Sequence, residues 1–238
     1  MNPFVSESII KSYLVKGQEI LLQLEPGVFC PSEHGSKLVD YIAVQQGEHV
    51  LDMGTGTGFL GIVAAQQGGI VDVSDPSEHA VNLAIRNAEL NNVFIKGYVG
   101  KYFCTPRKTY DYIIANLPHE IIPEAYAREI GDLEKTINGG LKGNEYILTF
   151  LDQAHLHMCA NSRVLMCAYS MSDYITTLNK MRSLYSLKLL DVLTYPAKDF
   201  VQEYIATYEP LIQDGTVGVF KKDGLWQSTV FVYELKKK

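Results

Sequence analysis

No stretch of this chain stays apolar for the roughly 20 residues that a bilayer-spanning helix needs. Cysteine is scarce. Cys30, Cys104, Cys159 and Cys167 stand far apart, with neither the spacing of a metal or redox pair nor the density of a secreted disulfide scaffold. They read as reduced, mostly buried thiols of a cytoplasmic protein. Positive charge is in deficit, 21 Lys and Arg against 27 Asp and Glu for a net charge of -6. A broad basic face that grips nucleic-acid phosphates is therefore not expected. Lys236-Lys237-Lys238 is a local exception and reads as a solvated end. Met1-Asn2-Pro3-Phe4 has no charged segment followed by an apolar one, so no secretion signal is expected. Repeats and low-complexity linkers are also missing. His155-x-His157 has no third ligand close by, and a pair on a helix surface explains it without a metal.

What is present suffices for one large α/β domain with decoration: 238 residues, 47% of them hydrophobic. Residues 1–27 read as a helical extension or lid, since apolar positions recur at helical spacing from Ser6 to Leu24 before the stop Glu25-Pro26-Gly27. Val28 to Pro31 is extended, and Ser32 caps a helix to about Val44. Strands and helices then alternate. Strands are expected at His49–Met53, Ile70–Ser74, Val93–Val99, Tyr110–Ala115 and Arg163–Tyr169. Helices are expected at Phe59–Gln67, Ser77–Leu90, Asn144–Cys159 and Ser172–Leu184. This order is that of a mostly parallel sheet covered on both faces. Leu187–Leu193 is a further strand. Val217–Phe220 and Leu225–Leu235 flank Lys222-Asp223-Gly224 as a hairpin, and a helical insertion fills roughly 197–213.

The most informative segment is Val50-Leu51-Asp52-Met53-Gly54-Thr55-Gly56-Thr57-Gly58. A strand ending in alternate glycines turns tightly and lets a ligand approach bare amides. The pattern is Gly-x-Gly-x-Gly, not the Gly-x-Gly-x-x-Gly that seats a pyrophosphate, and Asp52 would repel a phosphate. A ligand with a positive amine suits it better. Asp52, Asp75 and Asn116 each fall at or just past the end of a strand, so one edge of the sheet gathers them.

In ordered pieces from about Phe29 to Tyr169, the chain resembles the class I S-adenosylmethionine-dependent methyltransferases. Val50–Gly58 resembles their first motif, and Asp75 closes the second strand about 20 residues after the first glycine. Tyr110-Asp111-Tyr112-Ile113-Ile114-Ala115-Asn116-Leu117-Pro118-His119 resembles their fourth-strand motif. Within the class it is most similar to the HemK/PrmC-type glutamine methyltransferases with an Asn-Pro-Pro-Tyr motif. Gly27 to Ser32, NLAIRNAELNN over Asn82–Asn92, and Gly139-Gly140-Leu141-Lys142-Gly143 add to the likeness. Three positions depart from the pattern. Leu117 stands for the first proline, His119 for the aromatic residue, and Tyr98 for an aspartate that holds the adenine amine.

The resemblance implies a Rossmann-like, doubly wound, seven-stranded sheet in a domain over 28–238, with S-adenosylmethionine as cofactor and no metal. It implies a cofactor site of Phe29, Asp52, Gly54, Thr55, Gly56, Gly58, Asp75, Pro76, Tyr98 and Asn116, with Asp75 accepting the ribose hydroxyls. Asp72 competes for that role, and a helix cap before Ser77 is the plain alternative for Asp75. The catalytic group is Asn116, Leu117 and His119. The Asn116 side-chain oxygen and the Leu117 carbonyl would hold the N–H groups of a nitrogen acceptor. His119 would pack on it, act as a base, or merely cap a helix. Tyr195, Tyr204, Tyr208 and Trp226 form an acceptor cage or ordinary packing, and Tyr13 and Glu19 a lid or a brace. The expected reaction is methylation of a nitrogen on a small molecule or a protein side chain, with the acidic balance leaning toward a metabolite. The alternatives are a cyclase or aminocarboxypropyl transferase using the same cofactor, and an adenine methyltransferase acting on nucleic acid.

Overall fold

The computed structural model describes residues 4–238. A β-hairpin, β1 (Ile9–Val15) and β2 (Gln18–Leu24), comes first, followed by the short helix α1 (Glu33–Leu38) and a 3-10 turn, Val39–Tyr41. Next come β3 (His49–Met53), α2 (Phe59–Gln66), β4 (Ile70–Asp75), α3 (Glu78–Leu90), β5 (Ile95–Val99) and β6 (Tyr110–Ala115). After them run α4 (Glu124–Ile130), α5 (Glu145–Ala154), β7 (Met158–Tyr169), α6 (Tyr174–Leu184) and β8 (Tyr185–Pro196). The chain closes with α7 (Asp199–Glu203), α8 (Ile205–Gln213), β9 (Phe220–Lys222) and β10 (Leu225–Lys237).

Seven strands pair in the order β5-β4-β3-β6-β7-β10-β8, and β9 adds an eighth beside β10. Strands β3 to β7 are parallel to their neighbours, whereas β10 runs antiparallel between β7 and β8. The doubly wound, mostly parallel sheet expected from the sequence is thus present. The C-terminal hairpin is present too, but only Phe220–Lys222 of its first arm pairs with β10. Alternation along each strand sends consecutive residues to opposite layers. Leu51, Met53, Ile113, Val164 and Met166 pack with α5 and α6, while Val50, Ile114, Leu165 and Cys167 share a core with α1 and α2. Helix α2 is buried from Phe59 to Ala64, which is why it carries no polar face.

The N-terminal helical extension is the clear correction. Lys16 and Gly17 both take positive φ, 48° and 82°, and turn the chain back as a two-residue hairpin. Ile20, Leu22 and Leu24 are buried while Leu21 and Gln23 are half-exposed, a period of two. The helical spacing of the apolar residues was coincidental, and the Lys16-Gly17 turn together with packing against α3 decides. Part of the expected element, residues 1–3, lies outside the described residues. Helix α5 also stops sooner than expected, at Ala154, because Met158 already pairs with Tyr110. Of the cysteines, Cys104 and Cys159 are exposed, so only Cys30 and Cys167 fit the buried expectation. No helix among the described residues is long and apolar enough to cross a membrane.

A Cβ on Gly17 would meet nothing within 4 Å, so replacing it tests backbone conformation alone. Gly17→Ala should lower unfolding free energy by about 1 kcal/mol, read from the urea midpoint. An unchanged midpoint would mean that the turn does not hold positive φ in solution.

Candidate active site

The chain leaves β3 for β4 on one side and later crosses to β6 on the other, so the sheet order reverses between β3 and β6. A crevice opens there at the carboxyl ends of the strands. It encloses about 470 Å³.

Its floor is the glycine loop. Gly54 and Thr55 donate from their amides to the Ser74 carbonyl at 2.8 and 3.1 Å, which folds the loop toward β4. Gly58 begins α2 with φ 84°, and a Cβ on it would stand 2.9 Å from Ala84 Cα of α3. Only glycine fits there. Beneath the loop lies Asp52, 1% exposed. Its Oδ2 accepts from the Thr55 hydroxyl at 2.7 Å and from the Gly61 amide at 2.9 Å, joining loop to helix. Its Oδ1 has no hydrogen-bond partner among the described residues. Burial pushes the Asp52 carboxyl up to about 6.

Asp75 ends β4 and faces the crevice with Pro76. Its Oδ2 accepts from the Gly56 amide at 3.1 Å and its Oδ1 from Ser77 at 2.9 Å. Burial raises its carboxyl above the ordinary value despite those two amides. The lead-in segment closes the roof. The Phe29 carbonyl would stand 3.6 Å from a Cβ on Gly56, and Ser32 caps α1 by accepting from Gly35 at 3.1 Å.

The far wall follows β6. Asn116 abuts α1, where a Cβ on Gly35 would stand 3.0 Å from its Nδ2, and Leu117 leans on Gly54. His119 donates from Nδ1 to the Leu117 carbonyl at 2.7 Å, which fixes the tautomer and leaves Nε2 as an acceptor. Burial holds its pKa below the ordinary value, so the ring is neutral at pH 7. Its ring stands roughly perpendicular to that of Tyr169, with centroids 5.2 Å apart. Gly139 donates to the Glu120 carbonyl at 2.8 Å, and a Cβ on Gly139 would strike His119 Cα. The glycine-rich 139–143 segment therefore braces this wall.

Nine of the residues singled out from sequence line the crevice: Phe29, Gly54, Thr55, Gly56, Asp75, Pro76, Asn116, Leu117 and His119. Asp52 and Gly58 support the loop from below without lining it. Tyr98 lies within β5 under the Lys96 ammonium, and the loop after that strand, Gly100 to Tyr102, reaches the crevice in its place. Asp72 sits mid-strand, accepting from the Tyr110 hydroxyl at 2.8 Å, and does not line the crevice. Tyr208 donates to the Ile121 carbonyl at 2.7 Å, and Tyr195, Tyr204 and Trp226 pack on the core, so these aromatics brace the wall. Tyr13 packs on Phe59 at 5.0 Å, also as a brace.

Two residues that sequence reasoning missed are the buried Glu120 and the half-buried Lys198, partners in an ion pair at the crevice wall. Lys198 also faces the Phe29 ring at 5.8 Å. Nothing in the local sequence around Lys198 points to Glu120, because the insertion carries it across.

Residues 19–127 match the family model described as the methyltransferase small domain. A protein of Methanocaldococcus jannaschii with the provisional name protein N5-glutamine methyltransferase is 29% identical over 174 residues, covering 72% of this chain and 87% of that one. A ribosomal protein L11 methyltransferase of Dictyoglomus turgidum is 33% identical over 150 residues, 60% of this chain and 48% of the relative. The chain thus spans about half the length of that enzyme. Among solved structures, the 16S rRNA N2 G1207 methyltransferase of T. thermophilus, in complex with AdoMet and guanosine, superposes with a TM-score of 0.60 at 15% identity. It covers 98% of this chain and 52% of that one, a likeness of fold.

The fold is the Rossmann-like one of solved S-adenosylmethionine-dependent methyltransferases. The chain is an S-adenosylmethionine-dependent transferase, and its residues 19–127 are similar to the methyltransferase small domain. Its residues fit that cofactor: a glycine cradle, the unpartnered Asp52 oxygen beneath it, and the Asp75 carboxylate on the adjoining strand end.

Asp52 makes the site sensitive to pH. Its neutral form is favoured in the folded chain, so stability is greatest below about pH 4 for this group and falls as pH rises through about 6. Lowering the pH from 7 to 5 should return roughly 1–1.5 kcal/mol to the ligand-free wild type relative to Asp52→Asn, as seen in denaturant titrations. Cofactor affinity should run the other way, weakening as the anion is lost. Parallel pH profiles for wild type and Asp52→Asn would show that Asp52 is not the titrating group.

Proposed function

We propose that this enzyme methylates a nitrogen, and that the nitrogen belongs to a carboxamide, in the first place the side chain of a protein glutamine. The observation that carries the reading is the Asn116–Leu117–His119 corner. The Asn116 carboxamide has no hydrogen-bond partner among the described residues and borders the crevice beside the glycine loop. The name of the Methanocaldococcus relative supports a glutamine acceptor.

A carboxamide nitrogen is a poor nucleophile because its lone pair is delocalised, so orientation is the main task of the protein. Bound S-adenosylmethionine supplies an activated methyl group on a sulfonium. The Asn116 Oδ1 accepts one N–H of the acceptor. The Leu117 carbonyl accepts the other with the lone pair that His119 leaves unused. A leucine provides this carbonyl as well as a proline does. Transfer makes the nitrogen cationic, and the unprotonated His119 Nε2 accepts the proton released from it. On the cofactor side, Asp75 accepts from the ribose hydroxyls with the lone pairs left by Gly56 and Ser77. Apolar Phe29 shields the crevice from water.

Methyl-labelled cofactor should be offered separately to glutamine-containing peptides, free glutamine, and RNA. Label in the glutamine side-chain amide with release of S-adenosylhomocysteine is expected. Label in RNA, or release of methylthioadenosine, would overturn the proposal. Asn116→Ala should lower kcat by about 100-fold or more while leaving cofactor affinity nearly intact. Asp75→Ala should do the reverse, weakening cofactor binding by about 1–3 kcal/mol in calorimetry. Equal losses of kcat and affinity in Asn116→Ala would make that residue structural.

A further inference from the structure

The outer edge of the N-terminal hairpin does not face another strand. It faces α3. Asn91 accepts from the Leu21 amide at 2.9 Å and donates to the Leu21 carbonyl at 2.7 Å. Asn87 accepts from the Gln23 amide at 2.7 Å and donates to the Gln23 carbonyl at 3.0 Å. Two carboxamides thus take the place of a neighbouring strand. The match is geometric, since four helical residues rise about 6 Å and two strand residues about 6.7 Å. Edge groups that would otherwise be left open are satisfied.

Asn87 does more than Asn91. Its second Nδ2 hydrogen reaches the Thr57 carbonyl of the glycine loop at 2.9 Å, and the side chain is fully buried. One carboxamide therefore joins three elements: the hairpin, α3 and the loop. Two further contacts tie the same parts. Gly58 packs on Ala84, one turn before Asn87, and Tyr13 of the hairpin packs on Phe59 at the start of α2.

We infer that Asn87 is a positioning residue for the cofactor site, through which the N-terminal hairpin holds the glycine loop in its binding shape. Asn87 does not line the crevice. It acts by fixing the Thr57 peptide, and with it the direction of the neighbouring loop amides. The inference rests on the reading of the glycine loop as the cofactor cradle. Asn91, which contacts the hairpin and the Asn87 carbonyl but not the loop, is the built-in control.

The test compares Asn87→Ala with Asn91→Ala. Both remove hairpin bonds, and both should lower the melting temperature. Only Asn87→Ala should weaken S-adenosylmethionine binding, by about tenfold, the equivalent of one lost buried hydrogen bond. Equal effects of the two variants on affinity, or no effect of Asn87→Ala, would overturn the inference. Should Asn87→Ala not fold, the wild type gives the reciprocal measurement. Linkage requires saturating cofactor to slow hydrogen exchange at the Gln23 amide more than at amides of β8, which touch neither part. Equal slowing at both places would also overturn it. Failure of the wild type to bind the cofactor at all would instead sink the reading of the cradle.

Discussion

A single buried carboxylate sets the geometry on which this site depends. Asp52 stands at the end of β3 where the chain must reverse, and it bonds both the loop and the first turn of α2. Burying a charge with one oxygen unpartnered costs the empty protein stability. In the proposed reading, a cationic ligand above the loop would offset that cost and so link binding to folding through one residue.

The crevice has two halves of different origin. The half proposed to hold the cofactor is local in sequence: β3, the glycine loop, α2 and the end of β4 follow one another, and the lead-in segment covers them. The half proposed to hold the acceptor is assembled from distant parts. The His119–Glu120–Ile121 stretch is held by Lys198, by the Tyr208 hydroxyl and by the glycine-rich 139–143 segment. A largely buried ion pair such as Glu120 with the half-buried Lys198 adds little net stability over an apolar pair, so its value lies in fixing the wall in one position.

Much of this was legible. Apolar runs broken by glycine marked the parallel strands, and strand ends marked Asp75 and Asn116. The hairpin was not legible, because Ile9 to Leu24 satisfies a helical spacing and a strand alternation at once. Lys16-Gly17 is a weak turn signal until α3 offers two asparagines to the strand edge. Tyr98 does not line the crevice because the loop after β5 reaches it instead, and the end of β5 is poorly marked by its composition.

The alternation of strands and helices, the glycine turn after β3 and the chemistry of the residues at the strand ends are written in local stretches of the chain. Those are properties of short windows, where periodicity and backbone freedom act between neighbours. Tertiary structure alone decided that Asp52 lies under the loop, that His119 keeps its proton on Nδ1, that Lys198 meets Glu120, and that Asn87 bridges hairpin and loop. Each of these follows from burial or from contacts across dozens of residues, and neither quantity exists until the sheet has closed.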